Sequence, residues 1–214
     1  MTERLQRFSF TERVTHWMAA LSFLYAAFTG LALWTPHLYW LSSVFGGGET
    51  IRRWHPWGGV VFAVVLGLMF KNWARAMTLD ADDKAWLKKA HKYAVHDEDG
   101  LPEAGRFNAG QKMLFWLQST ATIVLFASGA VLWFPELMPR SLRLAAILVH
   151  PAVAMLAIGA IIVHIYMGTA AVPGAFRGML QGWVRPAWAR SHHPKWYRDV
   201  TKNRGPSADG QLDP

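Results

Sequence analysis

The chain has 214 residues, 52% hydrophobic and only 17% charged, where a soluble domain carries about 25% charged residues. Without a single Cys it can build no disulfide and no cysteine-ligated zinc or iron–sulfur centre. Its formal charge of +8 could suit nucleic acid, but the basic residues flank long apolar runs, which argues against a nucleic-acid partner.

Four segments carry no Asp, Glu, Lys or Arg: residues 14–34, 54–70, 113–134 and 144–172. Three reach the roughly 20 residues that cross a bilayer. The second is short, and Lys71 can lengthen it to residue 72 by snorkelling to the interface. All 36 charged residues lie outside these segments. Trp34, Trp40, Trp54, Trp57, Trp73, Trp116 and Trp133 cluster near the segment ends, as an interfacial belt does. The pattern predicts an all-α fold, an integral-membrane four-helix up-and-down bundle over residues 1–190, followed by a tail at 191–214.

In chain order, Ser9-Phe10-Thr11-Glu12 forms a capping box that starts the first helix before the bilayer. The first span is expected not to be a cleaved signal peptide. Its apolar run exceeds the roughly 7–15 residues of an h-region, and no A-x-A site follows. Between spans two and three, residues 72–111 are polar, with acidic patches at Asp82-Asp83 and Asp97-Glu98-Asp99. A GLPEAG turn at 100–105 predicts irregular structure there. The end of the tail, GPSADGQLDP from Gly205, predicts disorder. Neither an internal repeat nor a nucleotide-binding glycine pattern is evident.

Eighteen Lys and Arg lie on the side that holds both termini and the 72–111 loop, against Arg52, Arg53, Arg140 and Arg143 on the other. The positive-inside rule then places both termini in the cytoplasm.

Nine histidines divide by position. His91 and His96 fall in the polar loop, His192 and His193 in the tail, and His37 in the outer loop; solvated surface is the expectation for each. His16 lies early in span one at the cytoplasmic end, and His55 opens span two at the outer end. Span four carries His150 at its outer end and His164 toward the cytoplasm. Fourteen residues separate these two, just under four helical turns, so both rings leave nearly one face about 21 Å apart along the axis. By depth, His55 therefore pairs with His150 and His16 with His164. A lone membrane histidine is often a packing residue, but ionisable groups in spans are costly and usually functional.

Two facing imidazoles suit an iron porphyrin, which takes two axial ligands and, so filled, leaves no site for oxygen. Zinc would want more ligands, with thiolate or carboxylate among them, and no span contains Asp, Glu or Cys. No CxxCH occurs, so the haem is non-covalent, of b type, and two pairs mean two haems. Gly58, Gly59, Gly67, Gly129, Gly159 and Gly168 would admit porphyrin close to backbone, or simply allow helices to pack closely. Arg52 and Arg53 are placed either to pair with haem propionates or to anchor the interface. Pro56 suits the first turn of a helix, and Pro151 should kink span four or mark its entry into the membrane. A metal or proton transporter with histidine ligands is the distant alternative.

Five stretches carry a family resemblance: RFSFTERVTHW at 7–17, RRWHPWGG at 52–59, RFNAGQKMLFW at 106–116, the helix of His150 and His164, and HHPKWYRDV at 192–200. Over nearly its whole length the chain resembles the cytochrome b (gamma) subunit of respiratory, membrane-bound formate dehydrogenases. The resemblance implies two b haems, the outer on His55 and His150 and the inner on His16 and His164. It implies electrons arriving from an outer iron–sulfur subunit and leaving to menaquinone or ubiquinone near the cytoplasmic side of a bacterial inner membrane. Formate oxidation would fall to a molybdenum- or tungsten-containing catalytic subunit. Cytochromes b of hydrogenases and of thiosulfate or polysulfide reductases share this architecture and are the nearer alternative. The resemblance further assigns the quinone to RFNAGQK at 106–112. There Asn108 and Gln111 can donate amide hydrogens, Gly110 permits close approach, and Lys112 can help a water supply protons. The competing possibility is that Asn108 and Gln111 merely cap span three.

Overall fold

A computed structural model describes residues 4–89, 100 and 102–202. His91, His96, the Asp97-Glu98-Asp99 patch and the segment from Gly205 lie outside these. Four described helices are long and apolar enough to cross a membrane: α1 (Phe10–Trp34), α2 (Gly48–Trp73), α4 (Ala109–Trp133) and α5 (Arg140–Tyr166). Between α2 and α4 lies the short α3 (Ala81–Lys88). Helix α1 packs on α2, α2 on α4, α4 on α5, and α5 back on α1, so the four close into an up-and-down bundle. One end of the bundle, here the terminal end, gathers both chain ends and α3. The other, the distal end, carries a 3-10 helix at Pro36–Phe45 and the turn into α5.

Each span begins earlier than its charge-free window. Helix α2 starts at Gly48 rather than 54, and α5 at Arg140 rather than 144. The windows mark what hydrocarbon tolerates, whereas a helix runs on until its free N–H groups are capped. Ser9 and Glu12 form the expected reciprocal box on α1, with bonds of 2.8 and 3.2 Å. Asn108 and Gln111 form another on α4, at 3.0 and 2.9 Å. Asp80 and Asp83 form a third at 2.8 and 2.9 Å. This third box starts α3, a helix within the polar 72–111 loop where the sequence predicted none. The acidic pair Asp82-Asp83 is its first turn, where carboxylates complement the helix dipole.

The bundle is apolar outside as well as inside: Leu148 is 73% and Ile123 71% exposed. In lipid such a surface needs no cover, and association relies on close packing, hydrogen bonds and small residues. Thr29 and Ala157 are fully buried at helix contacts. Trp73, expected in the interfacial belt, is instead buried, and its indole donates to Glu12 Oε1 at 2.8 Å. Pro56, expected in a first turn, lies inside α2 because that helix begins at Gly48. Pro151 likewise lies inside α5, which continues through it. Without an N–H, each proline leaves the carbonyl four residues back, Arg52 or Ile147, without its helical partner.

At the terminal end, β1 (Leu5–Gln6) pairs antiparallel with β2 (Trp183–Val184), Leu5 opposite Val184. Helix α6 (Ala175–Gln181) leads into β2, and α7 (Pro186–His192) and α8 (Pro194–Lys202) follow it. Gly182 makes the turn possible: its φ is 86°, and a Cβ there would stand 3.0 Å from the Phe8 carbonyl oxygen. Leu5, Val184, Ala189 and Trp196 form a small buried cluster that joins the two ends of the chain.

Candidate functional site

The structure brings the four span histidines together as two pairs. At the distal end, His55 of α2 faces His150 of α5, with ring centroids 6.3 Å apart and planes at 79°. At the terminal end, His16 of α1 faces His164 of α5 at 6.1 Å and 55°. Helix α5 thus contributes one imidazole to each pair.

At the distal pair, a hydroxyl holds each ring from the preceding helix. Thr29 Oγ1 lies 2.9 Å from His55 Nδ1, and Ser128 Oγ lies 2.9 Å from His150 Nδ1. Both hydroxyls donate their own hydrogen to a carbonyl one turn back, Thr29 to Tyr25 and Ser128 to Val124, each at 2.7 Å. Each oxygen therefore accepts from an imidazole Nδ1–H, which leaves Nε2 as a lone-pair donor. The next residue is glycine in both cases, and a Cβ would come within 3.1 Å of His55 Cε1 at Gly30, or 3.3 Å of His150 Cε1 at Gly129.

This is a local repeat: Thr29-Gly30 on α1 serves His55-Pro56 on α2, and Ser128-Gly129 on α4 serves His150-Pro151 on α5. No repeat was expected from the sequence, because two dipeptides per half are too little to register as one. The terminal pair lacks the device. Among the described residues His16 Nδ1 is buried without a hydrogen-bond partner, and Trp17 meets the His16 ring edge-on at 5.3 Å. A π-helical turn, Met167–Ala171, begins three residues after His164, at the end of α5, the kind of irregularity that often marks a functional position.

The spacing tests which ligand fits. Two imidazoles on one metal at about 2 Å, each centroid about 1.2 Å behind its nitrogen, stand about 6.4 Å apart when collinear. The observed 6.3 and 6.1 Å lie close to that distance. Among the described residues no group of three or more His, Asp or Glu could hold a metal ion. The donor sets are thus two-coordinate from protein, which suits a metal whose other positions are already filled, as porphyrin fills them for iron.

The glycines sort themselves. A Cβ at Gly58 would overlap the Tyr25 ring at 2.5 Å, so that glycine serves α1–α2 packing. Gly59, Gly67, Gly159 and Gly168 have nothing within 4 Å of a Cβ, leaving open space beside backbone. Arg52 and Arg53 are exposed on the turn of α2 before His55.

Asn108, Gly110, Gln111 and Lys112 come together at the start of α4. The Asn108 and Gln111 side-chain oxygens make the cap, while their amide hydrogens take no part in it. Lys112 is not in water: it is 7% exposed, and its Nζ lies 2.5 Å from Asp83 Oδ2.

Nearby, His193, expected on a solvated surface, is only 2% exposed. Its Nδ1 donates to the Gly105 carbonyl at 2.8 Å, and its Nε2 lies 3.2 Å from Arg7 Nη2. Burial, then the adjacent Arg7 charge, pushes the His193 pKa down to about 3. Arg7 also donates to the Arg106 carbonyl and lies 4.4 Å from the Trp196 ring centroid. Burial, with the neighbouring Arg106 charge, lowers its pKa to about 9, so it remains a cation at neutral pH. The signal that could have revealed His193 is the aromatic company around it, Trp188 and Trp196, which is unusual for a solvated tail.

Fold and donor sets define the class, a multi-pass membrane cytochrome of b type. The chain belongs to the prokaryotic cytochrome b561 family, whose model matches residues 7–182. It is 36% identical over 211 residues to the cytochrome b556(fdo) subunit of formate dehydrogenase from Escherichia coli (strain K12), covering 97% of this chain and 98% of that one. The cytochrome b556(Fdn) subunit of the nitrate-inducible formate dehydrogenase from the same organism is 32% identical, over 94% of each chain. The formate dehydrogenase cytochrome b556 subunit of Haemophilus influenzae is 34% identical over 92% of this chain and 83% of its own. The resemblance carried by the five motifs therefore holds along the whole chain.

Proposed function

We propose that this chain is the dihaem cytochrome b subunit of a membrane-bound formate dehydrogenase, passing electrons inward from an outer iron–sulfur subunit to quinone. The observation that carries this reading is the two histidine pairs, spaced at 6.3 and 6.1 Å at opposite ends of one bundle. His55 and His150 hold the outer haem, and His16 and His164 the inner. When bound, each haem takes up and gives up one electron with no position open to oxygen. The Thr29 and Ser128 hydroxyls hold the Nδ1 protons and so leave both outer Nε2 lone pairs as the donors that would ligate a haem iron. Arg52 and Arg53, at the same end, neutralise propionates. The terminal end, where most Lys and Arg gather, faces the cytoplasm of a bacterial inner membrane. There Asn108 and Gln111 donate amide hydrogens to the quinone carbonyl while their oxygens keep the helix capped, and Gly110 admits the ring. Formate itself is oxidised on a separate molybdenum or tungsten subunit.

The test is an Asn108→Ala variant assayed in two steps. Both haems should be incorporated and reduced by the upstream donor, while their reoxidation by quinone slows markedly. Reoxidation at the wild-type rate would reduce Asn108 to a helix cap and move the quinone elsewhere.

A further inference from the structure

We propose that the buried Lys112–Asp83 ion pair delivers protons to the quinone, drawing them from the terminal face through Asp80. The inference rests on the quinone site proposed at Asn108. Lys112 follows Asn108 by four residues, so both side chains lie on one face of α4. Both also line one polar cavity of about 90 Å³, with room for a few waters between polar walls. Lys112 and Asp83 are each 7% exposed, 2.5 Å apart. Asp80 Oδ2 lies 3.6 Å from the same Nζ, and its side chain is 60% exposed. The groups therefore form a graded path: bulk water, exposed Asp80, the buried pair, then Asn108. The remaining charges facing this cavity are Asp82 from α3, Glu103 and Arg106 from the segment before α4, and Lys195 from α8.

Stability is a weak reason for such a pair, because desolvating two charges offsets most of their attraction. Helix α3 is already started by its own Asp80–Asp83 box. Chemistry gives a stronger reason. Converting a quinone to a quinol needs two electrons, which the upstream donor of the proposed function supplies, and two protons, one for each new O–H bond. A Lys112 Nζ–H supplies a proton to the quinone oxygen, directly or through one cavity water. The Nζ lone pair is then reprotonated from cavity water, with Asp83 and Asp80 holding the incoming proton. Nothing else is consumed.

The experiment pairs Asp83→Asn with Lys112→Met, which leaves no buried charge unpaired and keeps a cap oxygen on residue 83. In the assembled complex, haem content, reduction by the donor and the spectral shift caused by a quinone-analogue inhibitor should match wild type. Reoxidation by quinone should slow by about tenfold or more, more severely at pH 8 than at pH 6, and propionate should partly restore it. Asp80→Asn, at an exposed position where Asn caps equally well, should slow reoxidation in the same pH-dependent way. Wild-type reoxidation in the double variant would overturn the inference. So would a slowing that ignores both pH and propionate, which would mark a structural tie. If Asn108→Ala slows reoxidation while these variants do not, only the proton route fails; if Asn108→Ala has no effect, the quinone site itself is wrong.

Discussion

Thr29 and Ser128 each use one oxygen twice, donating to a backbone carbonyl and accepting from an imidazole. Removing that acceptor frees the ring to turn and leaves its Nδ1–H unpaired in an apolar bundle. Thr29→Val should therefore weaken the outer haem's binding by about 10- to 100-fold, while the inner haem's absorbance stays. The adjacent glycines set a steric limit. Gly30→Leu should expel the outer haem, because even a Cβ stands only 3.1 Å from His55. Haem-to-protein ratios from reduced spectra would check both. The pairing of the four span histidines was legible in the sequence because an imidazole in a charge-free run is conspicuous. Thr29, Gly30 and Ser128 were not, because hydroxyls and glycines are ordinary packing residues in membrane helices.

At the scale of elements, charge-free windows located the four spans, and the Ser9–Glu12 box fixed the start of α1. They could not show α3, whose eight residues lack an apolar run, nor the folding of α7 and α8 against β1. That contact depends on partners about 180 residues apart, such as Arg7 with His193 and Leu5 with Val184, which no local pattern encodes. It also has a pH consequence. A histidine whose folded pKa falls to about 3 favours the neutral form in the folded state. Below its usual value of 6.5 the unfolded chain binds the proton and the folded one does not, so stability falls as pH drops from 6.5 toward 3. The tail should detach across that window, seen as a change in Trp188 and Trp196 fluorescence and faster cleavage after Trp183. His193→Asn, whose amide can still donate to Gly105, should flatten the dependence. An unchanged midpoint in that variant would assign it to another group.

For the whole molecule, the two pairs sit at opposite ends of the bundle, so under the proposed function electron transfer between haems held there would move charge across the membrane. With the terminal end in the cytoplasm, an electron moving inward works against an energised membrane at about 2.3 kcal/mol per 100 mV for a full crossing. Formate-driven quinone reduction in proteoliposomes should slow as an opposing potential is imposed. Turnover indifferent to potential would place quinone reduction on the donor's side instead. All of this depends on two haems in one four-helix chain, and one measurement addresses that directly: the haem b content of the purified protein, wild type and His150→Ala, by reduced-minus-oxidised spectroscopy. The account predicts two haems per wild-type chain and one in the variant, with the surviving haem lost when His16 is also replaced. A wild-type protein with a single haem, or a His150→Ala variant that keeps both, would contradict it.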